Sequence, residues 1–167
     1  TPDPRGASGP LHTLGTREID FLRTPSRTMD EIAGFSPVWL MALTEVDVPR
    51  QLSAARMTGN MFRIAGVTPL LGKTFGMDAE TPGNENIVVL GFDLWRASFG
   101  GDSAIVGRSI SLNGSRYLVA GVMPRGFQLF DWQSDLWYPL TISPTDQTWT
   151  GATALAYGRL RVGSNVA

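Results

Sequence analysis

Between Gly107 and Met123 the chain reads GRSISLNGSRYLVAGVM, and its centre, Asn113-Gly114, is the pair that tolerates positive φ in a two-residue type I′ turn. A turn there predicts a β-hairpin and sets its register: Leu112 faces Ser115, Ile110 faces Tyr117 and Arg108 faces Val119. Ile110, Leu112, Tyr117 and Val119 then share one face, predicted buried, and Ser109, Ser111 and Arg116 take the wet face near the turn.

Around this hairpin the pattern predicts a mixed α+β chain. Thr16 is placed as an N-cap, and Ile19 and Leu22, then Met29, Ile32 and Ala33 beyond the break at Thr24-Pro25, predict two short helices over 16–34. Residues 38–43 and 51–57 read as strands joined by an acidic turn with Glu45, Asp47 and Pro49. Residues 58–65 turn helical, capped by Thr58 and ended by Gly66. A long irregular connection follows over 67–86. Next come a buried strand at 87–90 and a helix at 92–99 ended by Gly100-Gly101. Strands are predicted at 136–140 and 154–162, with Trp95 and Trp137 in the core. No internal repeat is present.

Composition narrows the function. The formal net charge of the 167 residues is −1 and the arginines are scattered singly from Arg5 to Arg161, so no basic stripe exists to track a phosphate backbone; nucleic acid is excluded as a partner. Cysteine is absent, which removes disulfides and thiolate metal sites. No apolar run reaches the roughly 18–20 residues that span a bilayer. Residues 1–10 form a Pro/Gly-rich linker, as in a piece of something longer.

Several constellations imitate chemical sites. Gly66 to Lys73-Thr74 approaches a phosphate-binding loop, but five residues separate its glycines where four are needed, and no helix-forming stretch follows. Asp78, Glu80 and Glu85 imitate a calcium loop in which Pro82 takes a ligand position and Val89 stands where a bidentate Glu is required, leaving a solvated acidic loop as the better reading. His12 is the only histidine and lies in the leader, where no buried carboxylate orients it. Asp131 and Asp135 are the carboxylate pair that a glycosidase-like hydrolase would use, on a loop where acids are ordinarily solvated. Asn113-Gly114-Ser115 is also a glycosylation sequon, better explained by the turn. No catalytic, cofactor-binding or metal-binding residue is assigned. Phe127, Phe130 and Trp132 crowd a loop with little to bury them: they form a contact surface, or the loop folds back over the hairpin and buries all three.

The order of these pieces resembles one family. Gly59-Asn-Met-Phe62, Gly66 to Phe75, Val88 to Trp95, Phe99-Gly-Gly-Asp102, Val106-Gly-Arg108, Leu112-Asn-Gly114, Tyr117 to Pro124, Asp135 to Leu140 and Arg159-Leu-Arg-Val-Gly163 follow the order of the periplasmic core domain of MacB-type ABC transporter permeases, of the MacB/FtsX-like superfamily, especially the acidobacterial-type orphan permeases. The resemblance covers about residues 11–163 and departs at Lys73, where the family normally has Arg. It implies a two-lobed domain: a first Porter unit of βαβ type at 11–70, an inserted, mostly β Sabre lobe at 71–145, and the start of a second Porter unit at 146–167, C-terminally truncated by a helix and a strand. It further implies a non-catalytic periplasmic domain that couples ATP hydrolysis to export or mechanical signalling. The implied partners are its own flanking membrane helices, a second permease copy or half, a separate cytoplasmic ATPase subunit and a periplasmic protein. The readings from other classes are a periplasmic hydrolase using the acidic loops and a passive ligand-binding module.

Overall fold

A computed structural model describes residues 13–24, 29–141 and 154–161. The predicted hairpin is β6 (Ser109–Leu112) and β7 (Ser115–Val122), in the expected register, with Asn113 at φ 50° and Gly114 at φ 79°. The turn also acts at long range. The Asn113 side-chain oxygen accepts the Ala42 N–H at 2.7 Å, and the Asn113 N–H donates to the Ala42 carbonyl at 2.9 Å.

Ala42 belongs to β2 (Met29–Thr44), a 16-residue strand. Its first half is where the sequence predicted a second helix, and this is the main correction to the predicted elements. Met29, Ile32 and Ala33 have helical spacing, but Ala33 and Phe35 are buried in a sheet, paired on one side with β3 (Arg50–Met57) and on the other with β9 (Ala154–Leu160). Two flanking ladders outweigh the weak local helical preference. The first helix, α1 (Thr16–Leu22), forms as predicted, with Gly15 rather than Thr16 at its N-cap. The short strand β1 (Thr13–Leu14) pairs with β9.

The remaining elements are α2 (Met61–Ala65), β4 (Leu71–Gly72), β5 (Ile87–Leu90), α3 (Phe92–Phe99) and β8 (Leu136–Pro139). Asn60, not Thr58, occupies the N-cap position of α2, and Gly66 closes it in the left-handed conformation that a side chain would resist. The connection over 67–86 contains β4 and a 3₁₀ turn at Met77–Glu80.

The pairings close a ring: β2 with β3, β3 with β8, β8 with β5, β5 with β7, β7 with β6, and β6 back to β2 through Leu43↔Leu112 and Thr44↔Ser111. Inside it pack Met41, Leu43, Leu52, Ala54, Val88, Leu90, Ile110, Leu112, Val119, Val122 and Leu136, joined by Leu94 and Trp95 of α3. Each Leu, Ile, Val or Met side chain among them contributes about 1.5–3 kcal/mol on full burial. The closure also explains a second departure from expectation: Ser111, assigned to the wet face, is buried, its Oγ 3.0 Å from the Thr44 hydroxyl. The outer face of the same sheet carries a second core, built from Ala33, Phe35, Ala55, Met57, Val89 and Trp137 and covered by Met61 and Phe62 of α2, Phe75 and Leu129.

Candidate functional site

The aromatic loop that connects β7 to β8 lies over this outer core. Phe127 packs inward, 5.1 Å from the Trp137 ring and 6.3 Å from Phe62. The base of the loop is braced by Gln128, whose Oε1 accepts the Ser134 N–H at 2.8 Å. At the tip, Phe130 adopts φ 58°, the left-handed region that costs a bulky residue energy, and its ring stacks on Tyr157 of β9 at 3.7 Å and 12°. An edge-on contact to Phe35 at 5.7 Å completes its seat. Phe130 nonetheless stays 41% exposed and Trp132 37%. Of the two arrangements open from sequence, Phe127 takes the packed one while Phe130 and Trp132 present aromatic surface.

Beneath the tip runs a groove of about 840 Å³, floored by Met61, Ile64 and Val67 and walled by Leu129, Phe130 and Tyr157. Its volume falls within the range of ligand sites and its lining is mainly apolar. Tyr157 was not singled out from sequence; alternation along 154–162 is the signal that places it on one face of a strand. Burial raises the pKa of its hydroxyl.

The floor of the groove is positioned by a buried ionic cluster that the sequence reading missed. Glu80, assigned to a solvated acidic loop, is 5% exposed. Its two carboxylate oxygens receive Arg23 Nη1 and Nη2 at 2.5 and 2.8 Å, and Oε1 also accepts the Gly59 N–H at 2.6 Å. Arg23 Nη2 further donates to Asn60 Oδ1 at 3.1 Å, and the Thr58 hydroxyl donates to the same oxygen at 2.7 Å. The cluster therefore ties the end of α1, the start of α2 and the 3₁₀ turn together, and α2 carries Phe62 under Phe127. Asp78 is exposed on that turn, and the Glu85 carboxylate accepts the neighbouring Gly83 N–H, so the three acids do not converge. Among the described residues, no group of three or more His, Asp or Glu is arranged to hold a metal ion.

The other sequence-level sites are also dispersed. The Asp135 carboxylate accepts the Ser53 N–H at 2.8 Å and its own N–H donates to the Ser53 carbonyl at 2.7 Å, which stitches β8 to β3; Asp131 is exposed beside the groove. Gly72 of the phosphate-loop imitation sits with φ 66° against the Ala120 carbonyl, where Lys73 donates its N–H at 3.0 Å. That segment is a sheet edge rather than a cradle. His12 and the linker at 1–10 lie outside the described residues, as does most of 146–167 apart from β9 and Arg161.

The sequence matches the family described as the MacB-like periplasmic core domain over residues 2–167. The chain belongs to this family. It is thus an extracytoplasmic domain of a MacB-like ABC transporter permease. Solved structures carry the same fold at low identity. A domain of a putative permease protein from Porphyromonas gingivalis matches with TM-score 0.67 and 18% identity, over 92% of this chain and 71% of that one. The periplasmic region of MacB from Actinobacillus actinomycetemcomitans matches with TM-score 0.66 and 13% identity, over 91% and 67%. The extracellular domain of the noncanonic ABC-type transporter YknZ from Gram-positive bacteria matches with TM-score 0.62 and 14% identity, over 79% of this chain; the chain spans 65% of that domain. No curated protein matches the sequence.

Proposed function

We propose that this MacB-like domain is a non-catalytic coupling element, moved by its flanking membrane helices when a separate cytoplasmic subunit hydrolyses ATP, and that it acts on a periplasmic substrate or partner by contact. The Porter reading of 11–70 and the Sabre reading of 71–145 fit this role. The proposed lobes meet in the β3–β8 ladder, Ala54↔Leu136 to Met57↔Pro139, and in the β2–β6 closure. Lobes that share a closed ring move as a stiff lever, because displacing either one breaks ladder hydrogen bonds.

The contact surface in this reading is the loop of Phe127, Phe130 and Trp132. The observation that carries it is Phe130, held in a strained backbone conformation with its ring stacked yet exposed. Strain of this kind persists where the surrounding structure enforces it, and it concentrates at functional loops. The test is photo-crosslinking in the intact permease, with a photoreactive residue at Trp132 and, as a control, at the more exposed Val48 in the turn between β2 and β3. Adducts to a second permease copy or a periplasmic protein are expected from position 132 only. Adducts from Val48 alone, or from neither position, would remove the loop from the account.

A further inference from the structure

At the end of the ring away from Gly91, where α3 begins, the interior is no longer aliphatic. The inward-facing positions there are Trp39 on β2, Arg56 on β3, Tyr138 on β8 and Tyr117 on β7, continuing the alternation of Met41, Ala54, Leu136 and Val119. Arg56 is directly opposite Tyr138 in the β3–β8 ladder, and the Tyr138 and Tyr117 rings meet edge to face at 6.4 Å. The Trp39 ring lies over the guanidinium, 3.6 Å from its carbon, while Trp39 Nε1 donates to Ser36 Oγ at 3.0 Å.

Two features of this cluster call for an explanation. The first is the Arg56 fork. Nε and Nη2 are both shielded from solvent, and neither has a hydrogen-bond partner. These donors lie on one edge of the guanidinium, the edge whose parallel N–H bonds match the two oxygens of a carboxylate. Other orphaned polar atoms among the described residues are single atoms on their side chains, whereas Arg56 leaves a whole fork empty. Unsatisfied buried donors are rare, and a pair on a cation is costly. The second feature is the backbone under Trp39. The β2–β3 register shifts between Ser36 and Trp39, an irregularity containing Pro37, and this shift places the indole over Arg56. Such bulges re-aim side chains beside sites.

We infer that this end of the ring is a binding site for a small carboxylate with an aromatic or apolar body, its two oxygens on Arg56 Nε and Nη2 and its body between the Trp39 and Tyr138 rings. The indole is the cover: it is 39% exposed and held by one side-chain hydrogen bond and by its stack on the guanidinium. A narrow free acid suits the site better than a protein surface, because the donors lie beneath the ring rather than beside it. The site is on the opposite face of the sheet from the aromatic loop, so either assignment can fail alone.

Benzoate is a suitable probe and benzamide its neutral counterpart. In ¹H–¹⁵N spectra of the domain, the Arg56 Nε–H resonance, identified by its loss in Arg56→Lys, is expected to shift on titration with benzoate and to stay in place with benzamide. Benzoate should raise the melting temperature of the wild type. It should leave that of Arg56→Met unchanged. An immobile Nε–H resonance, equal responses to benzoate and benzamide, or a benzoate effect that survives in Arg56→Met would overturn the assignment.

Discussion

Replacing Glu80 with Ala separates the buried reading of this residue from the solvated one. The substitution strands the Arg23 guanidinium, whose side chain is 11% exposed, and removes the acceptor of the Gly59 N–H. Breaking a buried pair by removing one partner costs about 3–5 kcal/mol, and an orphaned backbone donor adds about 1–3 kcal/mol. Arg23 retains its bond to Asn60, which favours the lower end, so the expected loss is about 3–4 kcal/mol. For a domain of this size that corresponds to a fall in melting temperature of roughly 6–16 °C. Adding Arg23→Met to Glu80→Ala removes both charges and should recover much of the loss, giving a coupling on the order of 2 kcal/mol in the double-mutant cycle of wild type, Arg23→Met, Glu80→Ala and the pair. Urea titrations of the four proteins supply the numbers. A cost for Glu80→Ala below about 1 kcal/mol, the range of exposed ion pairs, would refute the reasoning and return Glu80 to the solvent.

Val-Val in place of Asn113-Gly114 should cost about 2–4 kcal/mol, because β-branched residues resist positive φ and the ring loses the Asn113 bond to Ala42; an unchanged urea midpoint would show that the turn does not close the ring. Gly59→Ala should destabilise by at least about 2 kcal/mol, since a Cβ there overlaps the Gly76 carbonyl backbone, and a wild-type melting temperature would contradict that packing. Burial holds the Tyr138 pKa up at about 12, with Arg56 pulling against it. The unfolded chain therefore ionises first, and the stabilisation is complete below pH 10 and lost as pH rises to about 12. Discounted for partial exposure, that loss is on the order of 1–2 kcal/mol; tyrosinate absorbance and stability followed together in wild type and Tyr138→Phe check it.

What could be read from the sequence was what local pattern carries. The hairpin, the strand at Ile87–Leu90 and helix α3 with its glycine stop are specified by residues within a few positions of one another, and their order pointed to the family. The strand at Met29–Thr44 was not readable as a whole, because its helical spacing near Ile32 is overruled by ladders to segments roughly 20 and 125 residues away. The same limit hid Glu80. A carboxylate between exposed Asp78 and Glu85 carries no local mark of burial, and its partner Arg23 lies 57 residues upstream. Ring closure likewise depends on Leu43 meeting Leu112, which no local pattern encodes. For the aromatic loop, composition flagged the three residues, but only the packing separates inward Phe127 from the exposed Phe130 and Trp132.

A coupling element, as proposed for this domain, moves when ATP is hydrolysed. The chain contains no cysteine, so a spin label at Trp132→Cys reports from the loop alone once the rest of the transporter is cleared of cysteines. Electron–electron distance measurements between labels on the two copies of the reconstituted transporter, in nucleotide-free and vanadate-trapped states, test the claim directly. Trapping is expected to shift the distance distribution. Identical distributions in a transporter that hydrolyses ATP normally would contradict it.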